Sequence, residues 1–317
     1  MKRRAASASD VIDTDTMIEP ESTIDARHLI TLRAAPEFAA LDADVIAALA
    51  QIFEEKLYPR GSRLARAGAP VAAASFILEG RVSMDRPHHL VVDHGPIGLP
   101  ELLARDPAGL DARAETDVRA LSAPAAALHD LLEENFNFLS GALEGLARGN
   151  LALAQLATDD RWLQPPVEHP ATSTDRPLRL AERIIWLNAV LYFADSRVEA
   201  VAEIARVSTE VRHAAGTPLW KNGDDSGTFW LILSGEVECR GAFGTARARA
   251  GNALGGLESM ARVPHWYDAT TATPIRALVT ARDAVLDVIE DQVDLGVDLV
   301  RFLAARFVAA RDGALRS

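Results

Sequence analysis

The stretch GTPLWKNGDDSGTFWLILSGEVEC, residues 216–239, has a counterpart earlier in the same chain, GSRLARAGAPVAAASFILEGRVSM at residues 61–84. The two stretches share glycines at an offset of 155 residues: Gly61 with Gly216, Gly68 with Gly223, and Gly80 with Gly235. Further along, VRAL at 118–121 matches IRAL at 275–278 at an offset of 157. Solenoid repeats have periods of roughly 20 to 50 residues, so a period this long indicates two copies of one domain.

Each copy has the same predicted order of elements. Apolar residues spaced by three and four indicate amphipathic helices at its start, around 45–52 and 184–207, and again at its end. Between them lie short strands punctuated by glycine, such as TFWLILSGEVECR at 228–240. Short strands between Gly, Pro and Asp turns are typical of an antiparallel barrel. The predicted fold class is therefore α+β, a tandem repeat of two jelly-roll-like β-barrel domains, each flanked by helices.

The repeat also sets the predicted domain boundaries. Residues 1–27, rich in Ala, Ser, Thr and acidic residues, are predicted to form a flexible tail. The first domain covers 28–158 and the second 178–317. Residues 159–177 hold four prolines and are predicted to form a linker without regular structure.

Composition excludes several classes of protein. The 317 residues carry a formal charge of −12, which repels nucleic-acid phosphates, so we expect no nucleic-acid partner. The basic start of the chain turns acidic where a signal peptide has its apolar segment, and no apolar run reaches the roughly 18 residues of a membrane span. The single cysteine, Cys239, excludes an internal disulfide. These features predict a cytoplasmic protein that does not insert into membranes.

The repeated unit resembles the cyclic nucleotide-binding domain family. In that family a Gly opens a strand, a Gly-Asp turn follows, and an apolar strand ends at a Gly, as in residues 216–239. The segments IGLPELLARDP (97–107) and LGGLESMARVP (254–264) resemble the family's phosphate-binding cassette. The resemblance covers roughly 28–157 and 178–314. It implies a β-roll with a cassette, which binds cyclic AMP or cyclic GMP in the active members of the family.

The resemblance also indicates which residues to examine. In the family, a Gly opens a short helix that receives the phosphate, a Glu directly after it holds the ribose, and an Arg about nine residues further neutralises the phosphate. Here the position after the Gly is Leu99 or Gly256, and a Glu lies three residues past the Gly. The candidate ligand residues are Gly98, Leu99, Glu101, Leu102 and Arg113 in the first copy, and Gly255, Gly256 and Glu258 in the second.

The cation of the family is missing at both expected positions. Ala114 and Thr271 occupy them, and only Arg113 lies nearby. Burying a phosphate without a cation costs several kcal/mol, so we expect the second copy not to bind a cyclic nucleotide. The sequence thus predicts a non-catalytic regulatory or adaptor protein with lost or weak nucleotide binding. The alternative is a cyclic AMP or cyclic GMP sensor that uses Arg113 and Glu101 in a rearranged first cassette.

Several further predictions concern partners and other sites. The C-terminal helices, Leu139–Leu156 and Leu295–Ala310, carry enough apolar surface to bind a protein partner or a second copy, and packing within the chain is the competing use. Trp266 and Tyr267 are predicted to fill the vacant second pocket. No catalytic motif is found. No metal site is predicted, because an exposed hairpin explains the polar cluster of Asp85, His88, His89, Asp93 and His94 equally well.

Overall fold

The computed structural model describes residues 30, 32–33, 41–85, 89–106, 109–156, 162–163, 166, 176–190, 193 and 196–314. The predicted tail, 1–27, and most of the predicted linker, 159–177, lie outside the described residues. Two copies of the same arrangement follow each other along the chain. Among the elements whose bounds are described, each copy has a helix, eight strands interrupted by a short helix, and two closing helices. A further described helix precedes them in the second copy, and residues 30, 32 and 33 of the first copy are also helical.

The first copy begins with helix α1 (Ala43–Ile52), whose apolar face is buried. Its strands are β1 (Glu54–Tyr58), β2 (Arg63–Ala65), β3 (Ala73–Glu79), β4 (Val82–Asp85), β5 (His89–Val92), β6 (Gly95–Ile97), β7 (Asp111–Ala114) and β8 (Val118–Pro124). The first cassette helix, α2 (Leu99–Leu103), lies between β6 and β7. Helices α3 (Ala125–Glu134) and α4 (Phe136–Gln155) close the copy.

The second copy begins with α5 (Leu180–Ala189) and α6 (Val198–Val207). Its strands are β9 (Thr209–His213), β10 (Pro218–Trp220), β11 (Thr228–Ser234), β12 (Glu236–Gly241), β13 (Gly244–Arg249), β14 (Ala253–Leu254), β15 (Asp268–Thr271) and β16 (Ile275–Ala281). The second cassette helix is α7 (Gly256–Met260). Helices α8 (Arg282–Asp291) and α9 (Val293–Ala314) close the copy.

The strand pairings of the two copies are the same. The first copy forms two antiparallel sheets, in the orders β1-β8-β3-β6 and β2-β7-β4-β5. The second copy forms β9-β16-β11-β14 and β10-β15-β12-β13, which are the same orders in equivalent strands. Two four-stranded antiparallel sheets facing each other make a jelly roll. The predicted α+β class with two helix-flanked β-barrels is therefore confirmed.

The paired glycines have a conformational reason. Gly80 and Gly235 have φ angles of 97° and 83°, a region that residues with a β-carbon rarely adopt. A β-carbon at Gly80 would also collide with the carbonyl oxygen of Asp117, and one at Gly235 with that of Pro274. The glycine that ends each apolar strand is thus required both by its φ angle and by its close neighbours.

The closing helices α4 and α9 pack against each other and hold the two copies together. A β-carbon at Gly296 would lie 2.6 Å from Cδ2 of Leu139, its own equivalent in the other copy. Further along, the side-chain amide of Asn150 donates to the carbonyl oxygen of Leu303 at 2.9 Å. Residues further along α4 contact residues further along α9, so the two helices run parallel. Such contacts between equivalent residues are the pattern of a two-fold interface.

The apolar face that was predicted to bind a partner is therefore used within the chain. Its residues are buried between the copies: Leu139, Leu143, Ala147 and Leu151 on α4, and Leu295, Leu299, Leu303 and Ala304 on α9. An intramolecular partner of matching shape is permanently tethered, so it outcompetes a free one at ordinary concentrations. The structure thus shows packing within the chain, the alternative to partner binding. Among the described helices, none has the length and apolar composition to cross a membrane.

Candidate functional site

The first cassette begins at Gly98, which has a φ of 80° and precedes the short helix α2. This helix directs Glu101 and Leu102 inward, where their exposed fractions are 2% and 3%. Leu99, in the place of the family's ribose-binding Glu, is half-buried against the apolar core. Glu101 is therefore the carboxylate that the first cassette presents to its surroundings, although it lies three residues past the glycine.

The partner of Glu101 comes from the other copy. Nη2 of Arg311, on the last turns of α9, lies 2.8 Å from Oε1 of Glu101. The same guanidinium contacts Oδ1 of Asp312 at 3.1 Å. A charged pair with one member almost fully buried depends on its partner, because a buried carboxylate without a cation is costly. The carboxylate of the first cassette thus engages a cation of the protein itself.

The cation position next to the first cassette is apolar. On β7, Ala112 and Ala114 face the barrel interior and are buried, whereas Arg113 between them is exposed. Nε of Arg113 lies 3.7 Å from Oδ2 of Asp111 on the outer surface. Neighbouring residues of a strand point to opposite faces, so Arg113 cannot reach the interior without a shift of register. The structure does not bring Arg113 and Glu101 together.

The second cassette has a buried carboxylate with a different neighbour. Gly255 has a φ of 73°, Gly256 begins α7, and Glu258 is 3% exposed. Oε1 of Glu258 lies 3.9 Å from Nδ1 of His265, which is also buried. Within the described part of the chain, no hydrogen-bond donor reaches this oxygen. The position that corresponds to Arg311 in the other copy is Ala154, so this cassette has no equivalent of the Arg311–Glu101 pair.

Aromatic side chains occupy the space beside the second cassette. Tyr267 is fully buried, with its ring centroid 5.5 Å from that of Trp266 and 4.9 Å from that of Trp162. Phe243 packs on Trp266 at 5.2 Å, and His265 stacks on Trp220 at 4.3 Å. We call Trp162, Trp220, Phe243, Trp266 and Tyr267 the aromatic cluster. Trp266 lies within it and does not point into solvent, in agreement with the predicted filling of this pocket.

Little space remains between the aromatic cluster and α7. The cavity there has a volume of about 30 Å³, and its lining includes Glu258, Arg306, residues 253–257 and three of the aromatic residues. One water needs roughly 10 to 15 Å³ in this measure, so the cavity holds about two waters. The expected cation position, Thr271, is buried as well, and its hydroxyl donates to the carbonyl oxygen of Ala214 at 2.6 Å.

The second barrel also contains the single cysteine. Cys239, on β12, is fully buried, and burial raises the pKa of its thiol to about 12, with smaller contributions from the charges of Glu258 and Glu238. At neutral pH the thiol is therefore protonated and unreactive. Cys239 acts as a small apolar residue of the barrel interior.

Residues 55–135 match the family model of the cyclic nucleotide-binding domain. The first copy therefore contains a cyclic nucleotide-binding-like domain. The match lies in the first copy, and the second copy repeats the strand pairings of the first. A comparison with curated proteins gives no significant match.

Solved structures with some similarity include regulatory proteins and an enzyme. The regulatory subunit of a cAMP-independent protein kinase A from Trypanosoma brucei shares 14% identity, with 86% of this chain and 90% of that chain covered and a TM-score of 0.35. The regulatory domain of Toxoplasma gondii PKA with cAMP shares 13%, with 84% and 95% covered and a TM-score of 0.32. A cAMP-binding acyltransferase from Mycobacterium smegmatis shares 26%, with 38% and 40% covered and a TM-score of 0.31. Because these TM-scores are low, the assignment depends on the family match.

The polar hairpin of the first copy shows ordinary surface contacts. Nδ1 of His89 lies 2.9 Å from Oδ1 of Asp85, and the ring of His94 packs edge-on against Phe76. His88 lies outside the described residues. Among the residues that the structure describes, no three His, Cys, Asp or Glu side chains are grouped to hold a metal ion.

Two residues important to the site were not identified from the sequence. Arg311 follows an apolar helix face and has no motif that would connect it to residue 101. Trp162 lies in the segment predicted as a linker, yet its ring packs into the aromatic cluster of the second copy. Its aromatic character in a segment otherwise rich in polar residues and proline was the one available signal.

Proposed function

We propose that this protein is a cytoplasmic, non-catalytic regulatory protein in which two cyclic nucleotide-binding-like domains have lost nucleotide binding and act through a protein partner. The observation that carries the proposal is the pairing of Glu101 with Arg311. The carboxylate that the first cassette presents is already neutralised by the closing helix of the other copy. A cyclic nucleotide would have to displace this helix, and on the inner face of β7 it would meet Ala112 and Ala114 instead of a cation.

The contacts between the copies support a regulatory role. Helix α9 packs on the first cassette helix through Arg311, and α4 contacts the second cassette through Glu144, whose Oε2 lies 3.3 Å from Nε of Arg262. Each cassette is thus in contact with the closing helix of the opposite copy. A change at one cassette alters the helix that holds the other, which is the arrangement that a two-state regulator needs.

The partner is expected to bind outside the α4–α9 interface or to displace one of its helices. The apolar residues of that interface are buried, so they are accessible to a partner only when the helices separate. A partner that binds the separated state would shift the population toward it, in proportion to its difference in affinity for the two states. Affinity capture from the native cell, with wild-type protein and with Arg311→Met, which removes the ion pair between α9 and the first cassette, tests this dependence.

The loss of nucleotide binding has a direct test. Calorimetric titration and thermal unfolding are measured with cyclic AMP and cyclic GMP at about 1 mM. A site with a Kd of about 10 µM would stabilise the folded chain by about 2.7 kcal/mol and raise its Tm by several degrees. We expect no heat of binding and no shift. Micromolar binding that is abolished by Arg113→Ala would overturn the proposal and favour the sensor.

A further inference from the structure

A second cavity adjoins the one beside Glu258 and shares Ala253, Leu254, Gly256 and Leu257 with it, but its chemistry is entirely different. Its volume is about 80 Å³, and its lining is almost wholly apolar. The lining comes from both copies, with Leu143 on α4, Leu257 and Met260 at the second cassette, and Leu299 and Leu303 on α9. A cavity of this volume has space for roughly five water molecules.

Water is a poor occupant of this space. The polar side-chain atoms of the lining are already hydrogen-bonded, since Oγ1 of Thr280 lies 2.7 Å from Oγ of Ser208 and Nε1 of Trp230 donates to Oγ1 of Thr228 at 2.9 Å. A buried water needs two to four polar partners, and a cavity without them stays dry. A dry cavity of this size leaves its lining atoms without van der Waals contacts on one side.

We infer that this cavity is a binding site for a small, neutral, apolar molecule, of the size of a single ring or a short alkyl chain. The lining carries no charged side chain, so it offers nothing to a phosphate or an amine and disfavours both. An apolar ligand gains the contacts that the void lacks and loses no hydrogen bond on entry. Such a ligand differs in chemistry from a cyclic nucleotide and from a protein partner, so the inference does not rest on the proposed function.

The cavity lies where a bound ligand would contact elements of both copies. Gly256 and Leu257 of α7 contact it from one side, and Leu143 of the first copy contacts it from another. Helix α7 also carries Glu258, while Arg262, just beyond it, contacts Glu144 on α4. A ligand in the cavity therefore touches the second cassette and both closing helices at once, and its binding is linked to how tightly they pack.

Toluene is the probe for the site, and phenol is its matched control. The full chain is melted with each compound at the same concentration. Toluene is expected to raise the Tm by at least about 2 °C through binding to the folded state. Phenol is expected to give a much smaller shift, because its hydroxyl would be buried without a free partner. No shift with toluene, or equal shifts with both compounds, would overturn the inference.

Two variants locate the site. Ala253→Leu places additional carbon atoms in the cavity from β14 and is expected to abolish the toluene shift. Ile185→Ala, at a position 53% exposed on α5, is the control and is expected to keep it. A toluene shift that survives in Ala253→Leu would place the compound elsewhere and refute the assignment.

A direct measurement does not depend on how the variants fold. In the wild-type chain, nuclear Overhauser contacts are expected between toluene protons and the methyl group of Met260, assigned by its loss in Met260→Leu. Contacts to the other methionines without contacts to Met260 would contradict the site.

Discussion

The pair formed by Arg311 and Glu101 makes the sharpest prediction about this fold. Replacing Arg311 with Met removes the guanidinium and keeps an apolar stem of similar length, so the packing of α9 is largely preserved. Glu101, 2% exposed, is left in the first cassette without the cation that neutralises it. The first copy must then bury an unpaired carboxylate or open the contact with α9 to admit water.

The expected magnitude follows from the burial of the two partners. Removing one member of a fully buried ion pair costs about 3 to 5 kcal/mol, whereas an exposed pair contributes about 0 to 1 kcal/mol. The Glu101 side chain is buried, while that of Arg311 is 24% exposed near the end of the helix. We therefore expect Arg311→Met to lower the free energy of unfolding by about 3 kcal/mol, toward the lower end of the buried range.

A double-mutant cycle measured by urea unfolding tests this value. In the Glu101→Gln background no charge is left unpaired, so Arg311→Met is expected to cost about 1 kcal/mol, a coupling of about 2 kcal/mol. Arg197→Met is the surface control, because its pair with Asp294 is 75% and 60% exposed, and it should cost less than about 1 kcal/mol. Equal losses for Arg311→Met in both backgrounds would show that the two side chains are not coupled and would refute the reasoning.

Three further predictions concern local features. Gly80→Ala is expected to lower the free energy of unfolding by about 3 kcal/mol, because of the φ of 97° and a clash with the backbone. Gly68→Ala, with a φ of 77° and open space around it, should lower it by about 1 kcal/mol. Denaturant unfolding measures both, and equal losses would contradict the role of the clash. Cys239, with its thiol pKa raised to about 12, should resist a thiol reagent at pH 8 until urea unfolds the chain, and rapid labelling of the folded protein would contradict this. The contribution of the protonated thiol to the free energy of unfolding should be lost as the pH rises from about 9 toward 12. The hydrogen bond from the Arg176 side chain lowers the pKa of Glu182 to about 2, so the stabilisation of this carboxylate holds above 4.5 and is lost as pH falls toward 2. Carboxyl NMR titration should show that midpoint, and Arg176→Ala should return it toward 4.5; an unchanged midpoint would exclude Arg176 as its cause.

The repeat and its glycines were sufficient to predict the fold. Strand ends at Gly80 and Gly235 and helix starts at Gly98 and Gly255 have positive φ angles, so the same backbone constraint marks both copies in the sequence. The hairpin after Val82 accounts for part of the two-residue change in offset, since Val82 pairs with Val92 whereas Val237 pairs with Ala248. Backbone conformation at these positions depends on the residue type at the same position, so it could be predicted from the sequence.

The site was only partly predictable. The inward position of Ala114 and the outward position of Arg113 follow from strand alternation once the register is known, but the sequence alone left the register open. The partner of Glu101 is more than two hundred residues away and depends on how α4 and α9 cross. Such a contact is set by the packing of whole domains, and no spacing within either copy indicates it.

The parallel packing of α4 on α9 turns one polypeptide into the equivalent of a symmetric dimer. Two separate subunits would have to carry identical surfaces, so any residue that suits one side must be tolerated on the other. A single chain is free of this requirement, and Arg311 opposite Glu101, with Ala154 in the matching place opposite Glu258, shows that the two sides have diverged. Because the two copies are covalently joined, dilution does not dissociate them. Each copy can therefore change its residues at the interface while the other remains bound to it.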